Sequence, residues 1–138
     1  MKLLVLCEGK LRERHFREAQ DAYLARLVHY APVELREVER LRERDLPERS
    51  RVVALDQRGR ESTSRELAAW LGKQLASSAR GLCFVIGGAD GIDAAVLARA
   101  DEKLALSRLT LPHRLARVLL LEQLYRAMTI LKGEPYHR

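Results

Sequence analysis

Glu122 and Arg126 stand four residues apart in an otherwise apolar segment, which puts them on one face of any helix that carries them. A carboxylate and a guanidinium so placed either pair for structural reasons or face a polar site and orient a substrate. Further on come Tyr136, His137 and Arg138, side chains that packing alone rarely demands at a chain end. Termini fray and carry little unless something ties them down. Chemistry in this tail therefore requires a fold that buries it.

Two loops upstream offer binding surfaces. Leu106-Ser107-Arg108-Leu109-Thr110-Leu111 is an apolar hexad with two hydroxyls. Such a loop can wall off an aromatic ring with leucines while its backbone reads the ring edge. It can equally be a buried crossover with Thr110 as a helix cap. Ile86-Gly87-Gly88-Ala89-Asp90-Gly91 leaves a strand and enters a helix. Its glycines permit close backbone approach to a ligand or a tight turn, and its spacing matches neither a dinucleotide fingerprint nor a Walker loop. His113 and His137 fit no zinc spacing, and residue order supports no hydrolytic triad.

The elements that must position these residues alternate. Lys2 to Cys7 reads as a buried strand, and Glu13 to His29 as an amphipathic helix with Phe16, Ala19, Tyr23, Leu27 and Tyr30 at helical spacing. Val33 to Val38 alternates like a half-exposed strand, and the charged Glu39 to Ser50 segment is a connection with at most a frayed turn. Arg51 to Leu55 is a strand ended by an Asp56-Gln57-Arg58-Gly59 turn. Thr63 and Glu66 form a capping box for a helix with Leu67, Trp70, Leu71 and Leu75 in its core stripe. Leu82 to Ile86 and Lys103 to Leu106 are strands separated by a short helix, Ile92 to Arg99. Pro112 opens a final helix running to about Leu131. Apolar strands alternating with helices predict an α/β domain, mainly parallel, with ligands at the carboxyl ends of the strands. Three loops then matter: Leu55 to Arg60, Gly87 to Gly91 and Leu106 to Leu111. The final helix is apolar nearly all round, which predicts a second apolar surface that meets another subunit, most economically as a homodimer.

The 138 residues fit one domain. Twenty-five Lys and Arg against nineteen Asp and Glu give +6, an Arg-rich excess suited to a polyanion such as nucleic acid, or to Arg–Glu pairing on solvated faces. Cys7 and Cys83 each lie in an apolar run and read as inert buried thiols of a reducing cytoplasm. The early apolar stretch stops at Glu8-Gly9-Lys10, too soon for a signal peptide, and no membrane span is expected.

These residues together resemble the ribosomal RNA large subunit methyltransferase H family of the SPOUT class, over essentially the whole chain. The resemblance is carried by Met1-Lys2-Leu3 with Gly9-Lys10, Tyr23 to Leu27, Ala54-Leu55-Asp56, Phe84 to Gly91, and Leu106 through Arg138. It implies a parallel α/β sheet with helices on both faces and a deep C-terminal trefoil knot that fixes the tail beside the cofactor. It implies S-adenosylmethionine held by Leu55, Gly87 and Leu106, Ser107, Arg108, Leu109, Thr110 and Leu111, with no metal. It also implies a cytoplasmic homodimer that methylates N3 of a pseudouridine in large-subunit rRNA of the assembled ribosome. The chain departs from many relatives in its short Glu39 to Ser50 connection, which bears on peripheral rRNA contacts rather than on the pocket.

By the same resemblance, Tyr136, His137 and Arg138 meet the target base, and Glu122 and Arg126 help place it. An imide nitrogen is a poor nucleophile until its proton leaves, so a proton acceptor and charge stabilisation are required. His137, or a water it holds, could accept the proton while Arg138 or Arg126 steadies charge on the flanking carbonyls; His137 could equally only position the base. Two rival readings use fewer of these residues: a non-catalytic basic RNA- or ribosome-binding protein, and a flavodoxin-like nucleotide binder using the Gly87 to Gly91 loop.

Overall fold

A computed structural model describes residues 1–138. In chain order the elements are β1 (Lys2–Glu8), α1 (Arg14–Leu27), β2 (Val33–Val38), β3 (Ser50–Glu61), α2 (Ser64–Leu75), β4 (Gly81–Ile86), α3 (Ala94–Arg99), β5 (Glu102–Ala105) and α4 (His113–Lys132). The five strands form one sheet in the order β2-β1-β4-β3-β5, with every neighbouring pair parallel. This is the α/β architecture that the alternating pattern predicts.

Alternation within the strands builds two cores, because successive side chains point to opposite faces. Leu3, Val5 and Cys7 of β1 join a large cluster with Leu27 of α1, Leu67 and Leu71 of α2, and Leu120, Leu121 and Leu124 of α4. Leu4 and Leu6 face the other way, into a smaller cluster with Leu41, Leu46 and Val96. Helices α1, α2 and α4 thus cover one face, and α3 with the 39–50 connection covers the other. That connection is irregular apart from a single 3-10 turn, Glu43–Asp45. Both cysteines are buried, and burial pushes each thiol up to about 12.

One expectation needs correction. The Asp56 to Gly59 turn does not end β3. Leu55 and Arg60 both pair with Leu104, so four residues loop out and the strand then resumes to Glu61. Gly59 permits this, since a Cβ there would lie 2.6 Å from the Lys103 backbone. Most of the apolar girth of α4 is hidden within the single chain. The helix lies between α1 and α2 above the sheet, and Val118, Leu120, Leu121, Leu124, Ala127 and Met128 are buried within the single chain. Among the residues of α4 left half-buried, Leu115, Leu119, Glu122 and Arg126 share one stripe.

The capping box of α2 forms as expected, with the Thr63 hydroxyl accepting from the Glu66 amide (3.1 Å) and Glu66 accepting from the Thr63 amide (2.8 Å). Helix α4 ends in a Schellman turn. Gly133 takes φ +71°, its amide donates to the Ile130 carbonyl, and the Glu134 amide reaches back to the Thr129 carbonyl. The chain is thereby reversed onto α4.

Candidate functional site

The 55–58 stretch of β3 and the carboxyl ends of β4 and β5 open into a cavity of about 790 Å³. All three loops singled out from the sequence line it. The 56–59 excursion of β3 forms one wall, the Gly87 to Gly91 turn a second, and the segment after β5 a third. The glycine turn is set by sterics. Gly91 takes φ +83°, its amide donates to the Gly88 carbonyl, and a Cβ on Gly87 would sit 2.6 Å from the Gly91 carbonyl carbon.

Leu55, Gly87, Leu106, Ser107, Leu109, Thr110 and Leu111 line this cavity. Arg108 does not, because its side chain turns outward toward Glu61, 3.7 Å away, and is 84% exposed. Of the loop amides from Leu106 to Leu111, only that of Leu109 is bonded within the chain, to Ser107 Oγ at 2.9 Å. An apolar wall of Leu55, Ile86, Leu104, Leu106 and Leu111 thus faces a backbone with donors and acceptors to spare, the arrangement that takes a flat heteroaromatic ring. The residues fit a nucleoside-bearing cofactor.

Sequence reasoning passed over several cavity residues. Gln57 accepts from the Thr110 hydroxyl at 3.2 Å and so ties two walls together. Asp56 also lines the cavity, and the Arg58 guanidinium beside it holds its carboxyl below the usual carboxylate range. His113 enters from the first turn of α4; burial, followed by the charges of Arg114 and Arg117, pushes its imidazole down and favours the neutral form. The signal for His113 was its place next to Pro112, at the helix start that faces the strand ends.

Glu122, Arg126, Tyr136 and His137 form a second cluster on α4. Arg126 Nη2 lies 2.8 Å from Glu122 Oε2, and its Nε reaches both carboxylate oxygens at 3.3 and 3.2 Å. The Tyr136 hydroxyl donates to Glu122 Oε2 at 2.8 Å, and Arg126 Nη1 meets His137 Nδ1 at 3.0 Å. The Arg126 guanidinium also stands over the Tyr136 ring, 4.7 Å from its centroid, and Tyr125 packs edge-on against that ring at 4.7 Å. Burial, then the bond to Glu122, pushes the Tyr136 phenol up to about 12. Glu122 and Arg126 therefore pair with each other and clamp the tail. Arg138 is exposed beside them.

None of Glu122, Arg126, Tyr136, His137 and Arg138 lines the cavity of its own chain. The cavity meets α4 at His113 and Ala116, whereas Arg126 lies about 15 Å beyond Ala116 along the axis at about 1.5 Å per residue.

A buried anchor, also unread from the sequence, links the first turns of α4 to the edge of the sheet. Arg117 is 2% exposed. It donates to the Glu37 carboxylate, to the Gly9 carbonyl (3.0 Å) and to Gln20 Oε1 (3.3 Å), while Glu37 also accepts from the Leu11 amide (2.9 Å). No helix is long and apolar enough to cross a membrane, and no group of three or more His, Cys, Asp or Glu gathers as metal ligands.

A family model described as "Predicted SPOUT methyltransferase" matches residues 1–137. Ribosomal RNA large subunit methyltransferase H of Geobacter metallireducens is 46% identical over 153 aligned residues, covering 99% of each chain. The protein of the same name from an Anaeromyxobacter species is 46% identical over 154 residues, covering 100% of each. Among solved structures, a probable methylase family protein from Haemophilus influenzae superposes with a TM-score of 0.60 at 16% identity, over 99% of this chain and 70% of that one. TrmJ from Z. mobilis superposes with a TM-score of 0.54 at 15% identity, over 100% and 73% respectively.

Proposed function

The chain belongs to the SPOUT methyltransferase family, and on that premise we propose that it is an S-adenosylmethionine-dependent rRNA methyltransferase acting on N3 of a pseudouridine in the large ribosomal subunit, on assembled ribosomes. The observation that carries this reading is the cavity at the 55–58 stretch of β3 and the ends of β4 and β5, whose leucine walls and unpaired 106–111 backbone suit an adenosine. Bound there, S-adenosylmethionine would supply an electrophilic methyl group. Leu55, Gly87, Leu106, Ser107, Leu109, Thr110 and Leu111 would hold it, with Arg108 contributing only its backbone. The deep trefoil knot of the family is carried over with this reading, as the path by which the chain enters α4.

The enzyme works as a homodimer in this reading. In one chain the tail cluster and the cavity lie at different positions along α4, so a second copy can bring its Tyr136, His137 and Arg138 to the first copy's cavity. The half-buried stripe of Leu115, Leu119, Glu122 and Arg126 supports the pairing, because it runs along α4 between the two sites.

The chain's own residues then do three things. Glu122 and Arg126 fix the tail, which places the base for in-line attack. His137 accepts a hydrogen bond from Arg126 at Nδ1 and so presents Nε2–H as a donor to a carbonyl flanking N3. Arg138, exposed and unpaired, steadies the negative charge that grows on that imide as its proton leaves. With the Nδ1 lone pair engaged, the geometry supports water rather than His137 as proton acceptor.

The deciding experiment combines calorimetric titration with S-adenosylmethionine and mass spectrometry of large-subunit rRNA from cells lacking this protein. Heat of binding together with one missing methyl on a pseudouridine is expected. A fully methylated rRNA would refute the assignment.

A further inference from the structure

Beside the cavity, two short segments repeat one construction. In Lys10-Leu11-Arg12 and in Arg40-Leu41-Arg42 a leucine is flanked by bases. Leu11 is 4% exposed and Leu41 1%. Each leucine is also held by its own amide: Leu11 N–H donates to Glu37 Oε2 (2.9 Å) and Leu41 N–H to Glu8 Oε2 (3.0 Å). With the middle residue driven inward, the residues on either side must point out, and all four bases are exposed without an ion-pair partner.

The acids nearest to them in the chain are turned to other partners. Glu8 and Glu37 serve the two leucine amides, and Glu37 also takes buried Arg117. Glu13 pairs with Arg114, Glu43 with Arg99, and Asp45 accepts from the Arg42 amide. Along these two segments Glu39 alone is left free. A random solvated mixture of charges would not sort itself this way, with carboxylates turned to the backbone and cations turned to water.

The two segments are neighbours, since the Gly9 amide donates to the Val38 carbonyl at 2.7 Å. They also abut the cavity. Glu8 Oε1 lies 2.9 Å from the place a Cβ on Gly88 would occupy, and Gly88 is a cavity wall. Arg117, which holds Glu37, is one helical turn past His113, another wall residue. The cationic rim is thus wired to the pocket through two carboxylates.

We infer that Lys10, Arg12, Arg40 and Arg42 form a rigid phosphate-binding rim that docks the RNA backbone flanking the target nucleotide. This rests on the proposed function and adds to it the surface that engages the polymer. Three of the four are arginines, whose planar fork suits phosphate oxygens. Anchoring by the buried leucines lowers the ordering cost of contact, because the backbone of each segment is fixed before RNA arrives.

The test uses the full-length protein and large ribosomal subunits purified from cells that lack it. Binding of these subunits is measured against salt for the wild type, for K10Q/R12Q/R40Q/R42Q, and for the charge-keeping R12K/R40K/R42K. Loss of four phosphate contacts should lower the slope of log affinity against log salt by about three. It should also raise KM for the subunits about tenfold or more, leaving S-adenosylmethionine affinity as in the wild type. The charge-keeping variant should retain the wild-type salt slope. An unchanged slope and KM in the quadruple variant, or a loss of S-adenosylmethionine binding that marks the residues as structural, overturns the inference. A wild type that transfers no methyl group fails differently, because it overturns the reading of the pocket and leaves the salt slope still measurable.

Discussion

Arg126 and His137 share a hydrogen bond of 3.0 Å in which only one assignment of roles is possible. A guanidinium has no acceptor, so Nδ1 must accept and Nε2 must carry the proton. The imidazole is then a donor toward whatever lies beyond it. His137→Gln, which keeps a side-chain N–H, should retain kcat within about tenfold, and His137→Ala should lose about a further tenfold, each factor of ten being about 1.4 kcal/mol. The pH dependence of kcat should rise with ionisation of the imide and show no bend that His137→Gln removes. A bend lost in that variant would restore the histidine as proton acceptor.

Deletion of residues 136–138 should abolish methyl transfer while leaving S-adenosylmethionine affinity roughly intact, because those residues touch Glu122, Tyr125 and Arg126 and not the cavity. Mixing this deletion with a chain blocked at the pocket should restore part of the activity if the site is shared between subunits. No restoration at any mixing ratio would show that each chain completes its own site.

Gly87→Ala puts a methyl 2.6 Å from the Gly91 carbonyl carbon and 2.7 Å from its oxygen, and neither is the end of a flexible side chain. The turn must shift, at about 1–3 kcal/mol of stability. Affinity for S-adenosylmethionine, read by calorimetry, should fall at least tenfold. Undiminished binding would remove this turn from the site.

How far the chain could be read in advance depended on distance along it. The Thr63–Glu66 box, the β2 bounds and the turn after β4 are local patterns, and each appears as the sequence implies. Arg117 was invisible because its partners Gly9, Gln20 and Glu37 come from the turn after β1, from α1 and from β2. Propensity says only that such an arginine should be exposed. The 56–59 excursion misled for the same reason: what makes it a loop within a strand, rather than the strand's end, is that Leu55 and Arg60 both find Leu104. Glu122 and Arg126 were placed on one face by spacing alone, but their grip on Tyr136 and His137 needed the reversal at Gly133.

The Arg117 anchor should show in stability. Glu37→Gln leaves a nearly inaccessible guanidinium without its counter-charge, at a cost of about 3 kcal/mol. Replacing both Arg117 and Glu37 by leucine should cost less than the sum of the two single changes, since no uncompensated charge then remains. Urea denaturation of the four proteins measures this, and strict additivity would deny the coupling.

At high pH the tail should come loose. The folded Tyr136 phenol titrates at about 12, above its ordinary 10.0, so its contribution to docking is complete below pH 10 and is lost as pH climbs through 12. Spectrophotometric titration of the tyrosines should therefore show late-ionising groups, one of which disappears in Tyr136→Phe. Tyr30, held to about 12 by its bond to Glu134, accounts for another. Early ionisation of every phenol would mean that the tail is not held.

The β3 excursion also governs where the gene can change length. Both flanks of 56–59 are locked to the same residue of β5, so an inserted or deleted codon there would change the size of the excursion and reshape the cavity wall it forms. The 39–50 connection crosses the opposite face with only Leu41 and Leu46 sunk into the core, so outside the anchored Arg40-Leu41-Arg42 segment it can change length with little loss of packing. Alignments of 153 and 154 positions against a chain of 138 residues show that related genes have indeed drifted in size. Comparative sequencing should find such drift outside the quartet from Asp56 to Gly59.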